Sequence, residues 1–213
     1  MLIDLHNHTF PSSDDSFLRP HELIQQAKAA GLDGIAITEH DWFWDPRELE
    51  ALGREHQFLV LPGVEINTED GHTLVFGVQK YIFGMHRLPF LKQVVDRAGG
   101  ALIIAHPYGR RFDPKTHSAD GHRDHALERA CATEALAQAQ AIEVCNGRAS
   151  AEENDFSADL CRRLGMPGIA ASDAHKAADV GRWATEFPRE VRTVADLIRE
   201  LRAGRFRPLR LRG

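Results

Sequence analysis

The N-terminal stretch DLHNHT sets His6 and His8 one residue apart at the end of an apolar run. Near the other end of the chain, SDAH repeats the spacing with Asp173 and His175. A β-strand sends residues i and i+2 to one face, so each pair would leave its strand side by side. Two imidazoles, or an imidazole and a carboxylate, held on rigid backbone can bind one cation. The competing account of either pair is two unrelated surface side chains, and neither pair decides between the two alone.

Other ionisable residues stand at comparable places. TEHD carries Glu39, His40 and Asp41 after the run GIAI, and GVEIN carries Glu65. His72 opens HTLVFGV, His106 closes ALIIAH, and AIEVCNGR ends in Asn146 and Arg148. The chain has 12 histidines and only 2 tyrosines, an excess that matters once the histidines can be placed. Taken singly, His106 could be a core histidine, Asp173 a helix cap and Glu65 a surface carboxylate. Taken together, polar groups at the same end of nearly every apolar run favour one metal cluster over a string of coincidences.

For these side chains to meet, the runs that carry them must be strands sharing one rim. LIDLH, GIAITEH, FLVLPGVEI, HTLVFGV, ALIIAH, AIEVC and PGIAASDAH read as strands. Helices alternate with them. RPHELIQQAKAAG has Pro20 in its first turn and Gly31 at its end. In DPRELEALGREH, Asp45 caps, Pro46 sits first and Glu48 completes a capping box, and Ser150 with Glu153 repeats the box ahead of NDFSADLCRRLG. Alternation of this kind predicts parallel strands with crossover helices. With about seven strands and no Gly-x-Gly-x-x-Gly turn, a small or irregular α/β barrel fits better than a nucleotide-binding open sheet. Residues 109–135 are polar, charged and longer than an ordinary connection, which suggests a lid or insertion loop.

Composition narrows the class. A chain of 213 residues, 43% apolar and 27% charged, suits one domain spanning 1–213. A net charge of -5 argues against a stable nucleic-acid complex, and GRFRPLRLRG at the C-terminus reads as a solvated basic tail. Cys131, Cys145 and Cys161 have no paired spacing, which points to a reducing, cytoplasmic setting. No run is long enough for a membrane span, and the start lacks a secretion signal.

In order, DLHNHT, TEHD, GVEI, a following His, AHP, EVCNGR and SDAH resemble the polymerase and histidinol phosphatase (PHP) superfamily, over the whole chain. The resemblance implies a distorted (β/α)7 barrel, TIM-like, with two or three divalent ions (Zn, Mn or Fe) at the C-terminal face of the strands. It implies His6, His8, Glu65 and Asp173 around a first ion, with Glu65 bridging to a second held by His72 and His106. A third ion would take His40, His175 and an acid from SSDDS, with Asp14 at the family position and Asp15 as the alternative. The implied activity is phosphoester hydrolysis of a small phosphorylated substrate, a nucleotide among the candidates, by a hydroxide generated from metal-bound water. Glu65, Asp173, His175 and His40 would then surround the reacting atoms. Arg148, at a strand end, is the favoured phosphate grip, with Arg110 and Arg111 as alternatives, and Asn146 lines the pocket or supports a neighbour. His117, His122 and His125 are candidate acids or simply solvated loop residues, and Trp42, Phe43 and Trp44 could stack on a substrate ring or pack on a helix. Two other functions stay open: an amidohydrolase cleaving a C–N bond, and a non-catalytic metal-binding module.

Overall fold

The computed structural model describes residues 1–107, 122–134 and 136–212. Among the described residues, ten strands form two five-stranded mixed sheets. In the first, β1 (Leu2–Asp4), β2 (Gly34–Ile37) and β3 (Leu59–Pro62) run parallel. On the other side of β1, β9 (Trp183–Glu186) and β10 (Arg207–Arg210) add antiparallel strands. The second sheet has the order β4 (Val64–Thr68), β5 (Gly71–Phe76), β6 (Ala101–Ile104), β7 (Ala141–Asn146), β8 (Gly168–Ala171). Its β4–β5 and β5–β6 pairs are antiparallel, and β6, β7 and β8 are parallel.

The antiparallel pairs depart from the parallel strands expected above, for two local reasons. FLVLPGVEI is not one strand. Pro62 lacks the N–H a ladder needs, and a Cβ on Gly63 would lie 2.7 Å from the Phe76 ring and 2.8 Å from Thr38. The chain breaks there, so β3 stays with the first sheet and β4 begins the second. Next, Glu69 and Asp70 close a tight hairpin, with Gly71 at φ 114°, which makes β5 antiparallel to β4. His72 therefore sits at the start of its strand and still reaches the rim where other strands end.

At that rim two isolated parallel bridges join the sheets, Asn7 with Ala174 and His40 with Glu65. Hydrogen bonds reinforce them: His8 N–H donates to Ala174 O at 3.0 Å, and Asp41 N–H to Glu65 O at 2.8 Å. Between the sheets lies a fully apolar core that includes Ile3, Leu5, Leu74, Phe76, Ile103 and Ile169. Burying a side chain such as Phe76 contributes about 1.5–3 kcal/mol and ties the rims together.

Helices cover the outer faces. α1 (Pro20–Ala29) and α2 (Pro46–His56) pack on the β1–β3 side through Leu23, Ile24 and Leu49. α3 (Leu88–Arg97), α4 (His122–Cys131) and α5 (Ala151–Leu164) cover the second sheet. α6 (Val194–Arg202) buries Leu197 and Leu201 in the central core. The Ser150–Glu153 capping box is present, whereas α2 is capped by Asp45 alone, accepting from Arg47 N–H at 2.9 Å.

Two further expectations change. The second half of the segment read as a lid is α4, fixed to α5 by an Arg123–Asp159 pair at 2.6 Å. Its His125 is exposed and faces Glu128. Arg110, Arg111 and His117 lie outside the described residues. The C-terminal GRFRPLRLRG is not a free tail either: Arg207–Arg210 pairs with β9 along its length. Among the described residues no helix is long and apolar enough to cross a membrane.

Candidate metal centre

Strand ends assemble the site. β1 delivers His6 and His8, both fully buried, and β8 delivers Asp173 and His175 across the Asn7–Ala174 bridge. β2 and β4 bring His40 and Glu65 together across the other bridge, while β5 and β6 add His72 and His106. Glu65 stands at the centre, 1% exposed. One of its oxygens lies 2.8 Å from His72 Nδ1, 3.1 Å from His106 Nε2 and 3.4 Å from His6 Nε2. The other lies 2.8 Å from His40 Nδ1 and 3.3 Å from His8 Nε2. Asp173 Oδ1 lies 3.5 Å from His6 Nε2 and 3.4 Å from His8 Nε2. A cavity of about 310 Å³ opens over these groups to solvent.

What supports the imidazoles decides which nitrogen faces inward. His6 Nδ1–H donates to Glu143 Oε1 at 3.0 Å, so Nε2 carries the free lone pair. Ser13 Oγ–H donates to Glu39 Oε2 at 2.6 Å, which leaves Ser13 Oγ to accept from His8 Nδ1–H at 3.2 Å. Again Nε2 is left to the cavity. Glu39 is itself fixed by Thr9 N–H at 2.9 Å and Trp44 Nε1–H at 3.1 Å. The indole of Trp44 thus supports the site from behind, while Trp42 is 56% exposed.

The electrostatics follow from packing buried carboxylates among imidazoles. Burial raises the Glu65 carboxyl, but His6, the hydrogen bond from His106 and the adjacent His40 ring outweigh it and hold it well below the usual range. Asp173 is likewise depressed, by His6 and His8 against its burial. Burial lowers His6, and Asp173, Glu65 and Glu143 reverse this and raise it well above an ordinary histidine. Below β1, burial pushes Asp4 up to about 7 against hydrogen bonds from Ser172 and His6.

A fit test for cations rests on atoms left without hydrogen bonds. His6 Nε2, His8 Nε2, Glu65 Oε2, His72 Nδ1 and His175 Nε2 are all buried with no hydrogen-bond partner. Orphaned buried polar atoms are costly and rare, so a group of them facing one cavity calls for a ligand. Four overlapping sets offer three donors each within 4.8 Å: His6, His8 and Glu65; His6, His106 and Asp173; Glu65, His72 and His106; His8, His40 and His175. Nitrogen and carboxylate donors without thiolate suit Zn, Mn or Fe and do not choose among them. Backbone strain gathers at the same rim, with positive φ at Asp41 (50°), His106 (25°) and Asp173 (50°). Each such residue stores about 1–3 kcal/mol and is typical of functional sites.

For two site residues this geometry chooses between the expected alternatives. The acid that reaches the cluster from SSDDS is Asp15, not Asp14. Asp15 lies 3.0 Å from His175 Nε2 and 3.5 Å from His40 Nε2, while Asp14 is exposed and outside these contacts. Of the two roles expected for Asn146, the geometry favours support of its neighbours, since its amide hydrogens go to Glu143 and Asp173, each at 3.1 Å. Arg148 does reach the cavity, with Nη1 2.8 Å from His175 Nδ1. Glu143 escaped the sequence reading: fully buried, it also accepts from His106 N–H at 2.8 Å.

The model of the PHP domain matches residues 4–139, and a PHP-associated model matches 151–206. The chain belongs to the PHP domain family. Its PHP domain is 37% identical over 68 residues to a PolC-type DNA polymerase III from Oceanobacillus iheyensis, covering 32% of this chain and only 5% of the polymerase. Solved structures share the fold at low identity. A two-domain protein from Bacteroides vulgatus, described as containing a predicted PHP-like metal-dependent phosphoesterase, superposes with TM-score 0.66 at 19% identity, over 98% of this chain and 64% of that one. An amidohydrolase from Chromobacterium violaceum with bound sulfate gives 0.64 at 21% identity, over 98% of both chains.

Proposed function

We propose that this PHP domain is a divalent-metal-dependent phosphoesterase acting on a small phosphorylated substrate. The observation that carries the reading is the convergence of five buried, unpartnered imidazole and carboxylate atoms, brought by four strands, at the floor of one open cavity. The ligands would fall into three groups around shared atoms. His6, His8, Glu65 and Asp173 hold one ion; Glu65, His72 and His106 a second; His40, His175 and Asp15 a third. Ligands from both matched segments support residues 1–213 acting as one domain, and the two bridges that join the sheets support a distorted barrel.

Bound cations supply Lewis acidity, bringing the pKa of a water down toward about 7 and neutralising charge on phosphoryl oxygens. The chain does the rest. Glu143 and the Ser13–Glu39 pair keep His6 and His8 in the tautomer whose Nε2 faces the cavity. Asn146 holds Asp173 through Oδ2 and so leaves Oδ1 for coordination. Arg148 grips a substrate oxygen, and its present contact explains how it becomes available. His175 Nδ1 can accept from Arg148 only when its proton sits on Nε2. Were Nε2 to hold a cation, Nδ1 would carry the proton and donate to Asp173 O, 2.9 Å away. The Arg148 guanidinium would then be free to meet a phosphoryl oxygen.

The test is metal analysis of protein purified without chelator, followed by a panel of phosphomonoesters, phosphodiesters and amides. Metal content with phosphoester turnover supports the reading. Amide turnover alone would shift it to a C–N hydrolase, and bound metal without any turnover to a non-catalytic module.

A further inference from the structure

Not every histidine of this chain belongs to the cavity. His21 stands in the first turn of α1, and His56 is the last residue of α2, preceded by Glu55. None of the three lines the metal cavity or belongs to the four donor sets around it. They form a set of their own, with one ligand atom from each residue lying within 4.8 Å of the others.

The packing of two helices makes this set. His21 Nδ1 and His56 Nε2 face each other at 2.7 Å, with ring centroids 5.0 Å apart and planes inclined by 52°. Beside them, Lys28 Nζ–H on α1 donates to His56 O at 2.7 Å, so α1 is bound to the end of α2 at two points. At 2.7 Å the facing nitrogens hold at most one proton between them, because two N–H groups would point at each other. At least one lone pair is therefore aimed into the gap. Glu55 Oε1 lies 3.8 Å from the same His21 nitrogen.

A tetrahedral zinc ion with bonds of about 2.0–2.1 Å sets its donors about 3.3 Å apart. The two separations found here fall on either side of that value. Small rotations bring both to it, since the His21 and Glu55 side chains are 56% and 65% accessible. The end of α2 also favours a cation, because its last carbonyls carry the negative end of the helix dipole. Two imidazoles and one carboxylate leave a fourth position to water. Such a donor set suits Zn and disfavours Ca and Mg, which take oxygen ligands.

We infer that His21, Glu55 and His56 form a zinc site that clips α1 to α2, separate from the cavity and independent of the phosphoesterase reading. α1 follows the turn that carries Asp15, and α2 follows the segment that carries His40 and Asp41, so the clip ties together the helices behind those residues. When zinc enters, the proton between the rings passes through solvent to an outer ring nitrogen. Each imidazole then stays neutral and offers one lone pair. The nearby Lys28 charge and the exposure of the donors make this site weaker than the cavity, and it fills only when Zn is added beyond what the cavity takes.

The experiment locates the metal by chemical protection. The full chain, its cavity loaded with Zn, is treated with diethyl pyrocarbonate, which acylates accessible imidazoles, over a series of Zn concentrations. Peptide mass spectrometry follows each histidine. Acylation of His21 and His56 slows together, by about tenfold at ten times the half-saturating concentration. His125, exposed and outside the set, reacts at an unchanged rate. Glu55→Gln raises the half-saturating concentration at least about tenfold, since losing a ligand costs no less than losing a group that supports one. His21→Ala binds one Zn fewer per chain at saturation, by equilibrium dialysis, and keeps the cavity ions. Unchanged acylation of His21 and His56 at every Zn concentration overturns the inference, as does a slowing that His125 shares or that Glu55→Gln leaves in place. The protection of the unaltered chain needs no variant, so it decides whether or not the substituted proteins fold. None of these readings depends on turnover, so the phosphoesterase reading stands or falls separately.

Discussion

Glu143→Gln isolates what a buried carboxylate does for its neighbours. Glu143 does not itself line the cavity, is fully buried and serves three donors: His6 Nδ1–H at 3.0 Å, His106 N–H at 2.8 Å and Asn146 Nδ2–H at 3.1 Å. A glutamine has one oxygen for the two sides that Oε1 and Oε2 now serve. With that oxygen toward His106 and Asn146, its amide donates to His6 Nδ1, which must then accept. The His6 proton moves to Nε2, the atom needed for coordination. With the oxygen toward His6, the amide instead faces two donors and leaves both unsatisfied. A charge-assisted bond contributes about 1.5–3 kcal/mol, and loss of a group that orients a ligand histidine typically weakens metal binding 10- to 100-fold. We expect Zn affinity, read by competition with a chromophoric chelator, to fall within that range, equivalent to about 1.4–2.7 kcal/mol. The apo fold, followed by circular dichroism, is retained. Unchanged Zn affinity in a folded Glu143→Gln protein would refute the claim that Glu143 sets the His6 tautomer.

Three further outcomes follow from the same geometry. Asp15→Ala lowers metal stoichiometry and removes most phosphoesterase activity, whereas Asp14→Ala leaves both at wild-type values, as read by elemental analysis and steady-state kinetics. His8→Ala and Asp173→Asn each lose metal and activity together while the far-ultraviolet spectrum persists, because the core between the sheets is untouched; full activity in either variant after chelation would sink the mechanism. Burial, aided by Glu143 and Asp155, pushes the Cys145 thiol up to about 11. A raised thiol pKa favours the neutral form, so at pH 8 its alkylation is at least about a hundredfold slower than that of a free thiol, gaining about tenfold per pH unit until the pKa is reached. Mass spectrometry after iodoacetamide treatment measures it.

Much of the site was legible because its residues obey a period. His6 with His8, and Asp173 with His175, stand i and i+2 at strand ends, and that spacing survives any uncertainty about how the strands are arranged. Asp14 against Asp15 was not legible. Both lie in an irregular turn after β1, where no period says which neighbour points inward. Glu143 was hidden for another reason: a bulge between Glu143 and Cys145 shifts the β7 register against β8, so alternation does not report which face a residue takes. Sheet organisation failed at Pro62–Gly63 and at the Glu69–Asp70 hairpin. Each is a change of partner or direction within what reads as continuous apolar sequence. The strand at Arg207–Arg210 was missed because an edge strand rich in arginine looks like solvated tail.

The central claim is that atoms from strand ends far apart in sequence share cations in one cavity. Anomalous diffraction from crystals of protein purified without chelator, collected on either side of the absorption edges of Zn, Mn and Fe, tests it directly. The account predicts two or three anomalous peaks bounded by His6, His8, Glu65, His106, Asp173 and His175. Crystals of metal-replete protein with no peak among these residues, or with the metal elsewhere on the molecule, would contradict it.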